Sequence, residues 1–75
     1  MAIAPESIQV GKCYLMLRGA IPHVRHVDYI TSDGWVRYRD RTARKHWRPS
    51  IQECRYFAST TEREVPCDWT PERDE

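Results

Sequence analysis

A turn at Ser32-Asp33-Gly34, flanked on both sides by β-forming residues, sets the architecture of this chain. Glycine at its third position accepts the positive φ of a tight reversal, so the segments before and after it are predicted to pair as a hairpin. After the turn, Trp35-Val36-Arg37-Tyr38-Arg39 alternates, with Val36 and Tyr38 on a core side and Trp35, Arg37 and Arg39 on a charged side. Before it, Ile21, Val24, Val27 and Ile30 recur every three residues, a spacing closer to a helix than to a regular strand. The residue types decide for strand. Val24, Val27, Ile30 and Thr31 are β-branched and stiff at χ1, and a single bulge near His26 converts the spacing into a strand.

Upstream, Gly11 opens the run Lys12 to Arg18, which Gly19 ends. As a strand it places Cys13, Leu15 and Leu17 on one face and Tyr14 and Met16 on the other, the pattern of a central barrel strand with apolar neighbours on both sides. Downstream, Asp40 to Arg44 is expected to be an exposed loop and Lys45-His46-Trp47-Arg48 a short strand that Pro49 terminates. Ser50-Ile51-Gln52-Glu53 matches a capping box, and Ile51, Cys54 and Phe57 or Ala58 follow at helical spacing, predicting a helix from Ile51 to about Phe57. Glu64-Val65-Pro66 is a last short strand or an ordered tail anchored by Trp69, and Thr70 to Glu75 is expected to be disordered.

With 75 residues, 40% of them apolar and 31% charged, the chain has room for one domain with a small core, a size that excludes most enzymes. The expected fold is mainly β: a small antiparallel barrel of four or five short strands with one helical turn near residues 51–57. Residues 1–10 form a lead-in, 11–66 the barrel and 67–75 an acidic, flexible tail. The rival architecture is an open antiparallel sheet with a helix laid across it.

The longest apolar stretch, Tyr14 to Leu17, is far short of the roughly 20 residues of a membrane span, so no membrane partner is expected. The N-terminus has no basic flank followed by an apolar block, and a cytoplasmic location is expected. Cys13, Cys54 and Cys67 are an odd set without a Cys-x-x-Cys, which predicts reduced thiols, with Cys13 and Cys54 in the core and Cys67 reactive or prone to an intermolecular bond.

The formal net charge of +1 hides a split. Up to Ala58 there are 10 basic against 5 acidic residues, whereas Ser59 to Glu75 holds 2 against 6. The basic excess concentrates between Arg37 and Arg48, with six Arg or Lys and one Asp, interleaved with aromatics. Arginine grips phosphate with forked geometry and Trp35, Tyr38 or Trp47 can stack a base, so Trp35, Arg37, Arg39, Arg41, Arg44, Lys45 and Arg48 are the candidate contacts for nucleic acid or another acidic partner. An aromatic cage of Trp35, Tyr38, Trp47 and Tyr56 is the weaker reading, because Tyr38 alternates with the core side. His23 and His26 fall on opposite strand faces unless a bulge intervenes, so no metal site is expected, nor any cofactor. The histidines lack a neighbouring nucleophile and there is no phosphate loop, so no catalytic residues are assigned.

Gly11, Tyr14, Gly19, Val36-Arg37-Tyr38-Arg39, the Trp47-Arg48-Pro49 corner, Phe57 and Val65-Pro66 together resemble a family of short bacterial domains of unknown function with a small Src-homology-three-like, or Tudor-like, barrel pattern. The resemblance implies the barrel and no reaction, in a kind of domain often met in phage, plasmid and accessory bacterial genes. The function expected is that of a non-enzymatic binding module contacting nucleic acid or an acidic partner. The alternative is a protein-interaction module in which exposed Trp35, Trp47 and Trp69 form an apolar patch for a partner or for self-association, rimmed by the arginines.

Overall fold

The computed structural model describes residues 3–42 and 49–73. Five antiparallel strands form one sheet: β1 (Cys13–Arg18), β2 (Ile21–Ile30), β3 (Trp35–Asp40), β4 (Ser50–Glu53) and β5 (Arg63–Val65), in the order β4-β3-β2-β1-β5. Among the described residues a single short helix, α1 (Cys54–Ser59), joins the two edge strands, and 3-10 turns occupy Pro5–Ser7 and Pro71–Arg73. The mainly β, antiparallel expectation holds. The sheet is open rather than closed into a barrel: β5 is only three residues long and β4 runs directly into α1, so the edge strands do not pair with each other.

The hairpin forms where the turn predicts it, with Gly34 at φ 93° and the Thr31 backbone N–H donating to the Trp35 carbonyl at 2.8 Å. The three-residue apolar spacing in β2 is absorbed by a bulge: Val27 stands opposite Tyr38 and Tyr29 opposite Arg37, leaving Asp28 as the extra residue. Two residues beyond His26, it re-aims the second half of the strand.

Residues 50–53, expected to begin the helix, are strand. Each pairs with a residue of β3, from Ser50 opposite Tyr38 to Glu53 opposite Trp35, and neither Ser50 nor Glu53 makes the reciprocal cap. Ladder hydrogen bonds to a ready-made strand outweigh one local cap, and the helix starts three residues late, with the Cys54 N–H donating to the Gly34 carbonyl at 2.8 Å. The expected strand at 45–48 lies outside the described residues.

Both faces of β1 are covered. On the helix side Tyr14, Val27 and Val36 pack with Ile8, Phe57 and Ala58, and Phe57 is fully buried. On the other side Cys13, Leu15, Val24 and Val65 form a second cluster that Cys67 and Trp69 cover. The lead-in thus supplies a core residue, Ile8, and the segment after β5 supplies a lid. Leu17, expected to join Cys13 and Leu15, is exposed, lining an open hollow with Leu15, Pro22 and Trp69.

Cys13 lies in the core as expected, but the expectation of reduced thiols is overturned. Cys13 and Cys67 are joined by a disulfide, and Cys54 is the free thiol. A sequence separation of 54 hid the pairing, whereas the sheet removes the distance: Val65 pairs directly with Cys13, and Cys67 follows two residues later.

One core residue had no sequence signal. Arg25 is 1% exposed, sandwiched between sheet and helix. Its Nη2 donates to the Phe57 carbonyl and to the Thr60 and Thr61 hydroxyls at 2.9–3.3 Å, and its Nη1 donates to Gln52 Oε1 at 3.4 Å. Burial pushes the guanidinium below its ordinary value, and Tyr38 and Asp40 oppose that shift.

Candidate binding face

The sheet has one face buried under α1 and one that is only partly covered, and strand alternation decides what the open part displays. Trp35, Arg37 and Arg39 alternate with buried Val36 and half-buried Tyr38, so the three residues share the open face, as expected. Register extends the row across three strands: Tyr29 of β2 stands opposite Arg37, and Arg37 stands opposite Ile51 of β4. Tyr29, Trp35 and Ile51 are respectively 55%, 39% and 57% exposed. The result is a strip in which an arginine sits between an aromatic and an aliphatic side chain, with Trp35 beside it. Asp28, Tyr29, Arg37, Arg39 and Pro49 line a shallow hollow along this strip.

The arginines on this face are not equivalent. Arg39 is bound by the bulge residue: its Nε lies 2.8 Å from Asp28 Oδ2 and its Nη2 donates to Oδ1 at 3.0 Å. His26 Nδ1 lies 3.0 Å from the same Oδ1. Burial raises the Asp28 carboxyl, but the hydrogen bonds from Arg39 and His26 outweigh it and hold the group below the usual carboxylate range. Arg39 therefore brings a neutralised fork, while Arg37 makes no hydrogen bond or ion pair among the described residues. Arg41 follows in the turn after β3, where its backbone N–H donates to the Val24 carbonyl at 2.7 Å and its side chain is exposed.

Of the remaining candidates, Arg44, Lys45 and Arg48 lie outside the described residues, in the connection from Thr42 to Pro49. Tyr38 is on the helix side, packed edge-on against Phe57, so it cannot share a cage with Trp35. Tyr29 and Ile51 are the face residues that the sequence reading missed. Alternation past the bulge points to Tyr29, and reading 50–53 as strand instead of helix points to Ile51.

A second polar cluster closes the end of β2 and β3. His23 Nδ1 lies 2.6 Å from Asp40 Oδ2, and the Thr42 backbone N–H and hydroxyl donate to Oδ1. Burial raises the Asp40 carboxyl, and the bonds from Thr42 and His23 lower it further than burial raises it. This arrangement ties the turn after β3 to β2.

No helix among the described residues is long and apolar enough to cross a membrane. No protein-family model matches this chain, no curated protein matches it, and no solved structure matches it.

Proposed function

We propose that the chain is a non-enzymatic binding module that engages nucleic acid, or another acidic partner, across the open face of β2, β3 and β4. The observation that carries this reading is the exposed Tyr29–Arg37–Ile51 row with Trp35 beside it. Bases stack on exposed aromatics, and an arginine among them meets the phosphate backbone. Arg37 and Arg41 lie in β3 and the turn after it, and in sequence Arg44, Lys45 and Arg48 continue the basic run. The strand order, with α1 between the last two strands and β5 returning to β1, supports the Src-homology-three-like reading.

Titration of labelled single- and double-stranded oligonucleotides at two salt concentrations tests it. The expected result is binding that weakens steeply with salt, with a slope reduced by about one in Arg37→Ala. Trp35→Ala is expected to weaken single-strand binding by roughly tenfold, the loss of one stacked base. No binding at low salt rejects the proposal.

A second reading rests on Ile51. An exposed aliphatic beside Tyr and Trp suits a protein interface as well, with Arg37 as an anchor. That interface barely responds to salt, and sedimentation of the chain at increasing concentration would reveal self-association.

A cytoplasmic location requires the Cys13–Cys67 pair to be reduced, whereas the bond persists in an oxidising compartment. Alkylation of thiols at the moment of lysis separates the two. One modified cysteine, Cys54, marks the oxidising case, and three mark the cytoplasmic one.

A further inference from the structure

The fold brings together three metal-ligating side chains that are remote in sequence. Cys13 opens β1, directly opposite His26 of β2 on one side and Val65 of β5 on the other, and Cys67 reaches back from just beyond Val65. Ligand atoms of Cys13, His26 and Cys67 all lie within 4.8 Å of one another. Donor atoms around a tetrahedral zinc stand about 3.5–3.8 Å apart, so small side-chain movements suffice to converge them. Cys13 is buried and the other two are half-buried.

An independent observation concerns the histidine. Its Nδ1 is engaged by the Asp28 carboxylate at 3.0 Å, which leaves Nε2 as the ring nitrogen available to a metal. A carboxylate on the far nitrogen fixes the ring and raises its basicity, the arrangement that accompanies metal-bound histidines. Asp28 is itself held by Arg39, so the orienting group is anchored in turn.

We propose that Cys13, His26 and Cys67 form a redox-gated zinc site, complete only when the disulfide is open. In the disulfide the two sulfurs are bonded to each other and offer no thiolate. A thiol or phosphine reductant supplies two electrons, the S–S bond breaks, and each sulfur takes up a proton. A divalent zinc ion then displaces those two protons, forming two Zn–S bonds and one Zn–N bond and keeping its fourth position for water. Oxidation and metal loading are mutually exclusive, yet both tie β1 to the segment after β5 through the same two residues. The site shares Asp28 and Arg39 with the proposed binding face but does not rest on that reading.

The test uses the full chain, reduced with a phosphine under anaerobic conditions and titrated with cobalt(II), followed by displacement with zinc(II). The expected result is one cobalt per chain, with thiolate-to-cobalt charge transfer in the near ultraviolet and the visible bands of a tetrahedral ion, both absent from the oxidised protein. Cys67→Ser abolishes the charge-transfer band. His26→Gln weakens binding at least tenfold, Asp28→Asn weakens it roughly 10- to 100-fold, and Cys54→Ser leaves it unchanged. A reduced chain without these bands overturns the proposal, as do bands that persist after oxidation, survive Cys67→Ser, are unmoved in His26→Gln or vanish in Cys54→Ser. Circular dichroism covers the case in which reduction unfolds the chain: zinc must then restore the fold, and failure to do so also overturns it.

Discussion

The guanidinium carbon of Arg25 lies 3.9 Å from the centroid of the Phe57 ring, so the sole phenylalanine of the chain is packed against a cation inside the core. The ring receives Tyr14 and Tyr38 edge-on from the sheet, and the arginine fills the remaining side. A desolvated cation over an aromatic ring is worth about 2 kcal/mol, and the same guanidinium donates to three acceptors at the end of α1.

Arg25→Ala is therefore expected to cost about 3 kcal/mol in urea denaturation, through a cavity beside Phe57 as well as the lost bonds. Arg25→Met is expected to recover most of that. Its flexible side chain covers the ring, and the Thr60 and Thr61 hydroxyls still donate to the Phe57 carbonyl. Equal losses for the two variants would show that the hydrogen bonds, rather than the packing, hold the helix.

Reducing the Cys13–Cys67 bond in the absence of metal is expected to lower stability by about 4 kcal/mol, the loop-closure cost for a sequence separation of 54 in the chain-entropy account. For a domain of this size that is a large share of the total. Urea midpoints with and without reductant measure it. Cys67→Ser in oxidised buffer should fall with the reduced protein, and Cys54→Ser should stay within about 1 kcal/mol of the parent.

What was legible in the sequence was local. The Ser32-Asp33-Gly34 turn, the two-faced pattern of β1 and the alternation of Trp35 to Arg39 each depend on neighbouring residues, and each formed. The bulge was legible to within two residues because Val24, Val27 and Ile30 admit only one way of fitting a strand. Ser50-Ile51-Gln52-Glu53 misled because a capping box is also local, and the β3 partner that overrides it lies more than ten residues upstream. Long-range facts were invisible for the same reason. Nothing in Val24-Arg25-His26 marks Arg25 as buried, since its acceptors come from α1 and the turn after it, and nothing in the cysteine spacing announces that β5 returns to β1. Of the candidate face, Trp35, Arg37 and Arg39 were legible from alternation alone. The neutralisation of Arg39 was not, because Asp28 reaches it only through the bulge.

Asp28 and Asp40 both hold their carboxyls below the ordinary value of 3.8 in the folded state. A depressed carboxyl stabilises the fold above its unfolded value and ceases to do so as pH falls through the folded one. Their contribution is thus complete above about pH 4 and is lost below it. Asp28→Asn is expected to cost roughly 1 kcal/mol at pH 7 and to narrow the difference in urea midpoint between pH 7 and pH 3. An unchanged difference would place the acid sensitivity elsewhere.

Gly34 adopts φ 93° with open space where a Cβ would stand. Gly34→Ala meets no steric clash, so its cost is backbone strain alone, about 1 kcal/mol. Gly34→Asn should cost less, since asparagine tolerates this region. Both are read from thermal denaturation, and a much larger loss would mean that the contact from the Gly34 carbonyl to the start of α1 had also broken.

The Cys13–Cys67 bond encloses all five strands and the helix within one covalent loop. A single peptide-bond cut anywhere inside that loop, for instance after exposed Arg41, converts the chain into two pieces that remain one molecule. Such a cut adds the mass of one water and leaves the two pieces joined on a non-reducing gel. Opening the Cys13–Cys67 bond is what lets the two pieces part.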